Sequence, residues 1–198
     1  MLCTGNQCRS PMAEVLLQHR LDAIGLQARV SSAGELRAGV PAAPGSVRAM
    51  ADRGLDLGAH RSQTVTAEHL AEADLVVGMA RRHVREAVLA YPDAWPRTFT
   101  LKELVRRGEA AGSRRSGQPL AAWLNLVHVG RQTTDLLGDD PDDDVEDPIG
   151  APDRVYEATA TELDDLVDRM VAVAFPAAHP APPVDGAANQ GLVRPQER

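Results

Sequence analysis

Residues 3–11 read CTGNQCRSP and lead directly into a segment with helical character. Ser10 is a favourable N-cap and Pro11 a favourable first helical residue. We therefore predict a helix over residues 11–24, with Gly25 as its stop. A glycine-containing loop can turn its backbone N–H groups inward, and a helix start adds unpaired N–H groups and the positive end of its dipole. This combination indicates a binding site for an oxyanion such as phosphate.

Two side chains of this loop suit phosphoryl transfer. Arg9 carries a planar guanidinium that can donate hydrogen bonds to two phosphate oxygens. Cys3 stands at the base of the loop, where positive potential favours the thiolate, which is the nucleophilic form of cysteine. The alternative for Cys3 is a small buried side chain that only packs. We predict Cys3 as the nucleophile and Arg9 as the phosphate-binding base.

A general acid for the leaving group is expected late in the chain, in the sequence EDPIG of residues 146–150. Pro148 and Gly150 favour a turn here, which would place Asp147 on a rigid loop before the last helix. In a doubly wound sheet, loops at the carboxyl ends of the strands converge on one crevice. We therefore predict that Asp147 meets the Cys3 loop and serves as the acid.

The residues before Asp147 leave two alternatives for this acid, Asp144 and Asp143. Residues 139–147 contain seven carboxylates and no base, which predicts a solvated acidic loop. No metal site is predicted, because the run lacks the EF-hand spacing and no two histidines have a ligand-pair spacing. Three histidines are interpreted as surface or core residues without a catalytic function: His60, His69 and His83.

Helical and strand-like segments alternate along the chain, which predicts βαβ units and an α/β fold. Specifically, we expect a three-layer sandwich, in which helices flank a mainly parallel four-stranded sheet. The predicted strands are residues 28–32, 74–79 and 98–101, together with one leading into Cys3. The further predicted helices are residues 44–53, 66–71, 81–90 and 120–129, and a last helix that begins at Pro152. Thr66 is expected to cap the helix over residues 66–71. Residues 106–118 are predicted to form a surface loop, because they combine Gly, Ser and paired arginines.

Length and composition exclude several classes of protein. The 198 residues, 43% of them hydrophobic and 25% charged, suit one globular domain, here residues 1–175, followed by a disordered tail over 176–198 rich in Pro, Ala and Gly. No apolar run is long enough to span a membrane, and no signal sequence is recognised, so no membrane partner is predicted. With only two cysteines, a cytoplasmic location is expected. Outside residues 139–147, 21 acidic residues balance 21 basic ones, so no nucleic-acid partner is predicted.

The chain resembles the low-molecular-weight protein tyrosine phosphatases. The motifs that carry the resemblance are CTGNQCRS followed by PMAE, SSAG, ADLVVGM, FTLKELV and DPIG. The similarity extends to about Val173 and is interrupted by an insertion at 106–144. The same fold includes bacterial protein-arginine phosphatases and arsenate reductases. The resemblance implies a cysteine-dependent phosphatase that acts on phosphorylated protein, at phosphotyrosine or phosphoarginine, and needs no cofactor.

The resemblance also implies functions for individual residues. Cys3 would form a phosphocysteine intermediate, and Arg9 would bind the phosphoryl oxygens. Asn6 and Ser10 would hold the loop and stabilise the thiolate. Asp147 would protonate the leaving group and then activate water. The remaining residues of the phosphate-binding loop would be Thr4, Gly5, Gln7 and Cys8; Cys8 would either pack or form a reversible disulfide with Cys3.

Three features depart from the family pattern. Ile149 stands where many members have an aromatic pocket wall, and Gln7 stands where they have an aliphatic residue or threonine. Only Met1 and Leu2 precede Cys3, whereas the family has a whole strand there, so we expect the natural product to start upstream with an apolar run. Two alternatives to a phosphatase remain open: an arsenate reductase that uses a small-molecule thiol, and an inactive oxyanion-binding module.

Overall fold

A computed structural model describes residues 1–176 and contains a sheet of four parallel strands. The strands are β1 (Leu2–Cys3), β2 (Ala33–Gly34), β3 (Val76–Gly78) and β4 (Thr98–Thr100), in the spatial order β2-β1-β3-β4. The helices are α1 (Arg9–Ala23), α2 (Pro44–Ala51), α3 (Ala67–Glu72), α4 (Arg81–Ala90), α5 (Leu101–Ala111), α6 (Leu120–His128) and α7 (Asp153–Ala174). The predicted four-stranded α/β fold is confirmed. Apart from Pro176, the predicted tail lies outside the described residues.

Side chains of the central strands alternate between two apolar layers. Cys3 and Val77 belong to the larger core, which α1, α5 and α7 cover. Leu2 and Val76 belong to a smaller cluster on the opposite face, with Leu70 of α3 and residues of α4. Because successive residues of a strand point to opposite faces, this division confirms the three-layer arrangement.

β1 lies in the interior of the sheet and brings Cys3 to the carboxyl edge. Leu2 is in register with Ala33 of β2 and with Gly78 of β3. The predicted strand over residues 28–32 is wrong, since β2 contains only Ala33 and Gly34. Next to this register, the Met1 amino group donates to the Ser31 carbonyl at 2.8 Å, and the Met1 carbonyl accepts from the Ala33 N–H at 3.0 Å.

The predicted surface loop over residues 106–118 is wrong in its first half. α5 continues to Ala111, and its buried residues Leu101, Leu104, Val105 and Gly108 follow helical spacing. Gly108 is a close-packing residue here, because a Cβ at this position would lie 3.1 Å from the Trp123 ring. Trp123 of α6 is buried, and its indole N–H donates to the carbonyl of Gly112 at 2.9 Å. It therefore packs α6 onto α5.

Candidate active site

Residues 3–9 form a tight loop between β1 and α1 at the carboxyl edge of the sheet. Asn6 has φ +51°, a left-handed conformation that non-glycine residues seldom adopt. The loop also packs closely on β2, since a Cβ at Gly34 would lie 2.7 Å from the Thr4 carbonyl oxygen and 2.8 Å from the Asn6 nitrogen. The loop conformation therefore depends on a glycine in the neighbouring strand.

The sulfur of Cys3 accepts two hydrogen bonds in a buried environment. Ser10 Oγ donates to Cys3 Sγ at 3.0 Å, and the backbone N–H of Asn6 donates to it at 3.2 Å. Cys3 is only 3% exposed, and Ser10 and Asn6 are fully buried. These donors stabilise negative charge on the sulfur. The predicted N-cap function of Ser10 is wrong, because α1 begins at Arg9 and the Ser10 hydroxyl binds the sulfur instead.

Asn6 connects the loop to three other segments. Its Nδ2 donates to Ser10 Oγ at 2.9 Å and to Ser32 Oγ at 2.7 Å, and its Oδ1 accepts from the Gln63 N–H at 2.8 Å. Its carbonyl oxygen lies 2.7 Å from His60 Nε2. Such a fully hydrogen-bonded buried network specifies one geometry. Ser32 and His60 were not predicted as site residues, because each lies far from the loop in sequence.

Four backbone N–H groups and one side-chain N–H of the loop have no hydrogen-bond acceptor in the described structure. The N–H groups of Gly5, Gln7, Cys8 and Arg9 donate to no atom within residues 1–176, and Arg9 Nε is buried without a partner in the same range. Buried donors of this kind normally have partners. Their number, at the start of a helix, fits the binding of an oxyanion.

Arg9 joins the loop to the predicted acid. Its Nη1 donates to the carbonyl of Val145 at 3.0 Å, and its Nη2 pairs with a carboxylate oxygen of Asp147. The Asp147 side chain is 36% exposed, and its other oxygen accepts from the Ile149 N–H at 3.3 Å. Two segments 138 residues apart therefore meet at Arg9, as predicted for the nucleophile and acid loops.

The two alternative acids point elsewhere. Asp143 is buried and pairs with Arg81 and Arg106, and Asp144 accepts from the Arg81 N–H at 2.7 Å. Basic residues therefore hold Asp143 and Asp144 against α4 and α5. The prediction that residues 139–147 form a solvated loop is wrong for these two residues. Only Asp147 of the three candidates contacts the Cys3 loop.

Cys8 packs beneath the loop with Ala43 and Tyr156, and both cysteines of the chain are free. Burial raises the pKa of the Cys8 thiol to about 11, although the nearby Ser46 hydroxyl opposes the shift. Cys8 is therefore a neutral packing residue at neutral pH in this state. The Gln7 carbonyl accepts from the Ala43 N–H at 2.9 Å, which attaches the loop to the start of α2.

A buried histidine on α4 contacts the loop from the other side. His83 Nε2 lies 3.2 Å from Thr4 Oγ1, which also contacts Arg82. Desolvation by burial, with the nearby charges of Arg9 and Arg82, lowers the pKa of His83 to about 3. The side chain is therefore neutral at physiological pH and acts as a hydrogen-bonding core residue, in agreement with its interpretation from sequence.

Comparisons with known proteins agree with this geometry. The profile of the family described as low molecular weight phosphotyrosine protein phosphatase matches residues 1–111. A protein-arginine-phosphatase of Geobacillus stearothermophilus is 33% identical over 170 residues, which cover 85% of this chain and 90% of that protein. The crystal structure of a low molecular weight protein tyrosine phosphatase from T. tengcongensis is 34% identical, with a TM-score of 0.65 and coverage of 86% of this chain and 95% of that chain.

A second structural relative carries a phosphorylated serine in its active site. A Cys-to-Ser mutant of the YwlE arginine phosphatase, described with a phosphorylated active site serine, is 28% identical, with a TM-score of 0.65 and coverage of 86% of this chain and 91% of that chain. The family profile matches more than half of this chain, and the Geobacillus relative is matched over most of its length. The chain therefore belongs to the low molecular weight phosphotyrosine protein phosphatase family.

Proposed function

We propose that the protein is a cysteine-dependent phosphatase that hydrolyses phosphorylated protein residues, phosphotyrosine or phosphoarginine, through a phosphocysteine intermediate. The observation that carries the proposal is the meeting of three groups. Cys3 accepts two hydrogen bonds at the base of a loop with free N–H donors, Arg9 stands in that loop, and Asp147 pairs with Arg9. The proposed nucleophile, phosphate ligand and acid therefore lie on segments that meet at the carboxyl edge of the sheet.

In the first step, the Cys3 thiolate attacks phosphorus and the bond from phosphorus to the leaving oxygen or nitrogen breaks. Loop N–H groups and the Arg9 guanidinium bind the phosphoryl oxygens. Arg9 thereby exchanges its contact with Asp147 for the phosphoryl group. Asp147, in its protonated form, gives its proton to the leaving atom.

In the second step, water attacks phosphorus of the phosphocysteine. Asp147, now a carboxylate, accepts the proton of that water, and the bond between phosphorus and sulfur breaks. Phosphate leaves and Cys3 returns as a thiolate, which the Ser10 hydroxyl and the Asn6 N–H stabilise. Asp147 gives up a proton in the first step and regains one in the second, so the proposed cycle needs no reactant other than the phosphorylated substrate and water.

The residues at the mouth of the site bear on the substrate. Ile149 follows the Asp-Pro pair and is 54% exposed. At the proposed site it would provide an aliphatic wall, where an aromatic side chain would stack on the phenyl ring of phosphotyrosine. Gln7 adds an amide, which can both donate and accept hydrogen bonds. These features support a weaker preference for phosphotyrosine than an aromatic wall would give.

Phosphate release from phosphotyrosine and phosphoarginine peptides, measured side by side, tests the proposal. Cys3→Ser is expected to abolish steady-state turnover while still binding orthovanadate, because the loop donors remain. Cys8→Ala removes the other cysteine but keeps the nucleophile, so measurable turnover persists. Undiminished hydrolysis by Cys3→Ser would overturn the proposal. Vanadate binding without turnover in the unmodified protein would indicate the inactive module instead, and arsenate reduction with an added thiol would indicate the reductase.

A further inference from the structure

We propose that Arg81 is a positioning residue, which holds the acid loop where Asp147 can reach the Cys3 loop. The inference rests on the proposed phosphatase function, in which Asp147 is the general acid. Arg81 is the first residue of α4 and lies outside the loop of residues 3–9. It acts on Asp147 through the acidic run, defined here as residues 139–147.

Arg81 binds the acidic run with its side chain and with its backbone. Its guanidinium lies 2.8 Å from a carboxylate oxygen of Asp140, through Nη2, and 2.7 and 2.8 Å from one of Asp143, through Nη2 and Nε. Its backbone N–H donates to Asp144 Oδ1 at 2.7 Å. One residue therefore binds three of the seven carboxylates and fixes both the direction and the position of this segment.

Val145 transmits this position to the active site. Its N–H donates to the carbonyl of Met79 at 2.8 Å, and its own carbonyl accepts from Arg9 Nη1 at 3.0 Å. Met79 lies in the short connection between β3 and α4, two residues before Arg81. The acidic run is thus attached to the carboxyl edge of the sheet at two adjacent points, and Asp147 follows two residues later.

The negative charges of the Arg81 partners explain why a basic residue is needed at position 81. The Asp143 side chain is 7% exposed, and a buried carboxylate is costly unless it is paired. Without Arg81, three carboxylates would repel one another near Val145 and loosen the segment. A displacement of about 1 Å in a catalytic group can lower a rate by about 100-fold. The loss would fall on the step that uses Asp147 and leave the phosphate-binding loop intact.

Arg81→Ala tests this proposal in steady-state assays with two phosphate esters. The comparison uses kcat/KM, which covers only the steps up to formation of the phosphocysteine. For an alkyl or unactivated aryl ester, whose leaving group needs a proton, we expect kcat/KM to fall about 10- to 100-fold. For an activated nitrophenyl ester, which needs little protonation, we expect kcat/KM to change less than threefold. Inhibition by orthovanadate should stay within about twofold of the unmodified protein, because Cys3 and Arg9 keep their contacts.

Arg106→Ala is the matched control. Arg106 also pairs with Asp143, at 2.8 Å, but its side chain is 54% exposed and it makes no contact with Asp144 or Val145 in the described structure. The substitution Arg106→Ala removes a positive charge from the same carboxylate, that of Asp143. We therefore expect both esters to be hydrolysed at rates near those of the unmodified protein. A loss equal to that of Arg81→Ala would overturn a specific function of Arg81.

Combination with Asp147→Asn decides whether Arg81 acts through Asp147. If it does, the double variant hydrolyses the unactivated ester at the rate of Asp147→Asn alone. The proposal would be overturned if the losses of Arg81→Ala and Asp147→Asn multiplied in the double variant. It would also be overturned if Arg81→Ala lost the same fraction of activity on both esters. If Arg81→Ala does not fold, Asp144→Ala removes the acceptor of the Arg81 N–H, together with that of the Asp140 N–H at 3.3 Å, and the same selective loss is expected. Failure of the phosphatase function itself would appear separately, as no turnover by the unmodified protein.

Discussion

Ser10→Ala tests the idea that the loop is built to hold a thiolate. Ser10 is fully buried, and its hydroxyl donates to Cys3 Sγ at 3.0 Å. Alanine removes this donor and leaves the Asn6 N–H, at 3.2 Å, as the remaining bond to the sulfur. The substitution also removes one of the two acceptors of Asn6 Nδ2, which keeps its bond to Ser32 Oγ at 2.7 Å. It adds no steric conflict, and the bond that it removes from the sulfur is one that stabilises the charged form of Cys3.

The size of the effect follows from the kind of bond that is lost. A hydrogen bond to a charged group contributes about 1.5–3 kcal/mol. Each 1.36 kcal/mol corresponds to a factor of about ten, so the rate of alkylation of Cys3 by iodoacetate should fall by up to about 150-fold, because alkylation proceeds through the charged sulfur that the lost bond stabilises. Mass spectrometry of the Cys3 peptide measures this rate separately from Cys8.

Ser46→Ala provides the matched control. Ser46 is also fully buried, but its hydroxyl lies near Cys8 and makes no hydrogen bond to Cys3 in the described structure. Alkylation of Cys3 should therefore proceed near the rate of the unmodified protein. Melting temperatures of both variants show whether the loop is still folded. Equal alkylation rates for folded Ser10→Ala and the unmodified protein would refute the proposed stabilisation of the thiolate.

Three further predictions concern the acid, the pocket wall and the buried histidine. Asp147→Asn should slow hydrolysis of an unactivated ester by about 10² to 10⁴ and an activated one far less; a normal rate on both, with a loss in Asp144→Ala, would reassign the acid. Ile149→Tyr should raise kcat/KM for phosphotyrosine relative to phosphoarginine, and an unchanged ratio in peptide assays would show that the wall does not select substrate. Because the pKa of His83 is lowered to about 3 in the folded protein, its contribution to stability is full above about pH 6.5 and is lost as pH falls towards 3. Chemical unfolding of His83→Gln should therefore show a pH slope smaller by about 1.4 kcal/mol per pH unit in that window, and equal slopes would contradict the shift.

Local sequence patterns were sufficient to predict most of the elements around the site. α4 spans the predicted residues, and Thr66 caps α3 by accepting from the His69 N–H at 3.3 Å. Both depend on neighbours within one helical turn, so the sequence contains the needed information. The extension of α5 was missed for the opposite reason. Gly108 suggests a break when considered alone, and only contact with Trp123 shows that the glycine permits close packing.

The contacts that hold the loop could not be predicted in the same way. Asn6 is bound by Ser32 and His60, which lie 26 and 54 residues away in the chain. A polar side chain in an isolated segment gives no indication of which distant partner it will meet. The left-handed conformation of Asn6 is stable here because those partners fix its side chain and carbonyl on several sides.

The acidic run shows why composition alone misjudges charge. Seven carboxylates in nine residues predict solvation, because like charges repel and favour water. In the folded chain, Arg81 and Arg106 approach from separate helices and pair with Asp143, which becomes one of the buried residues. Burial of a paired carboxylate contributes little net stability, but it makes one position of the segment strongly preferred over others. Once it is paired with arginines, this charged segment can place Asp147 beside Arg9, although it would not hold a fixed position alone. A selective loss of activity in Arg81→Ala would be the direct evidence for that function.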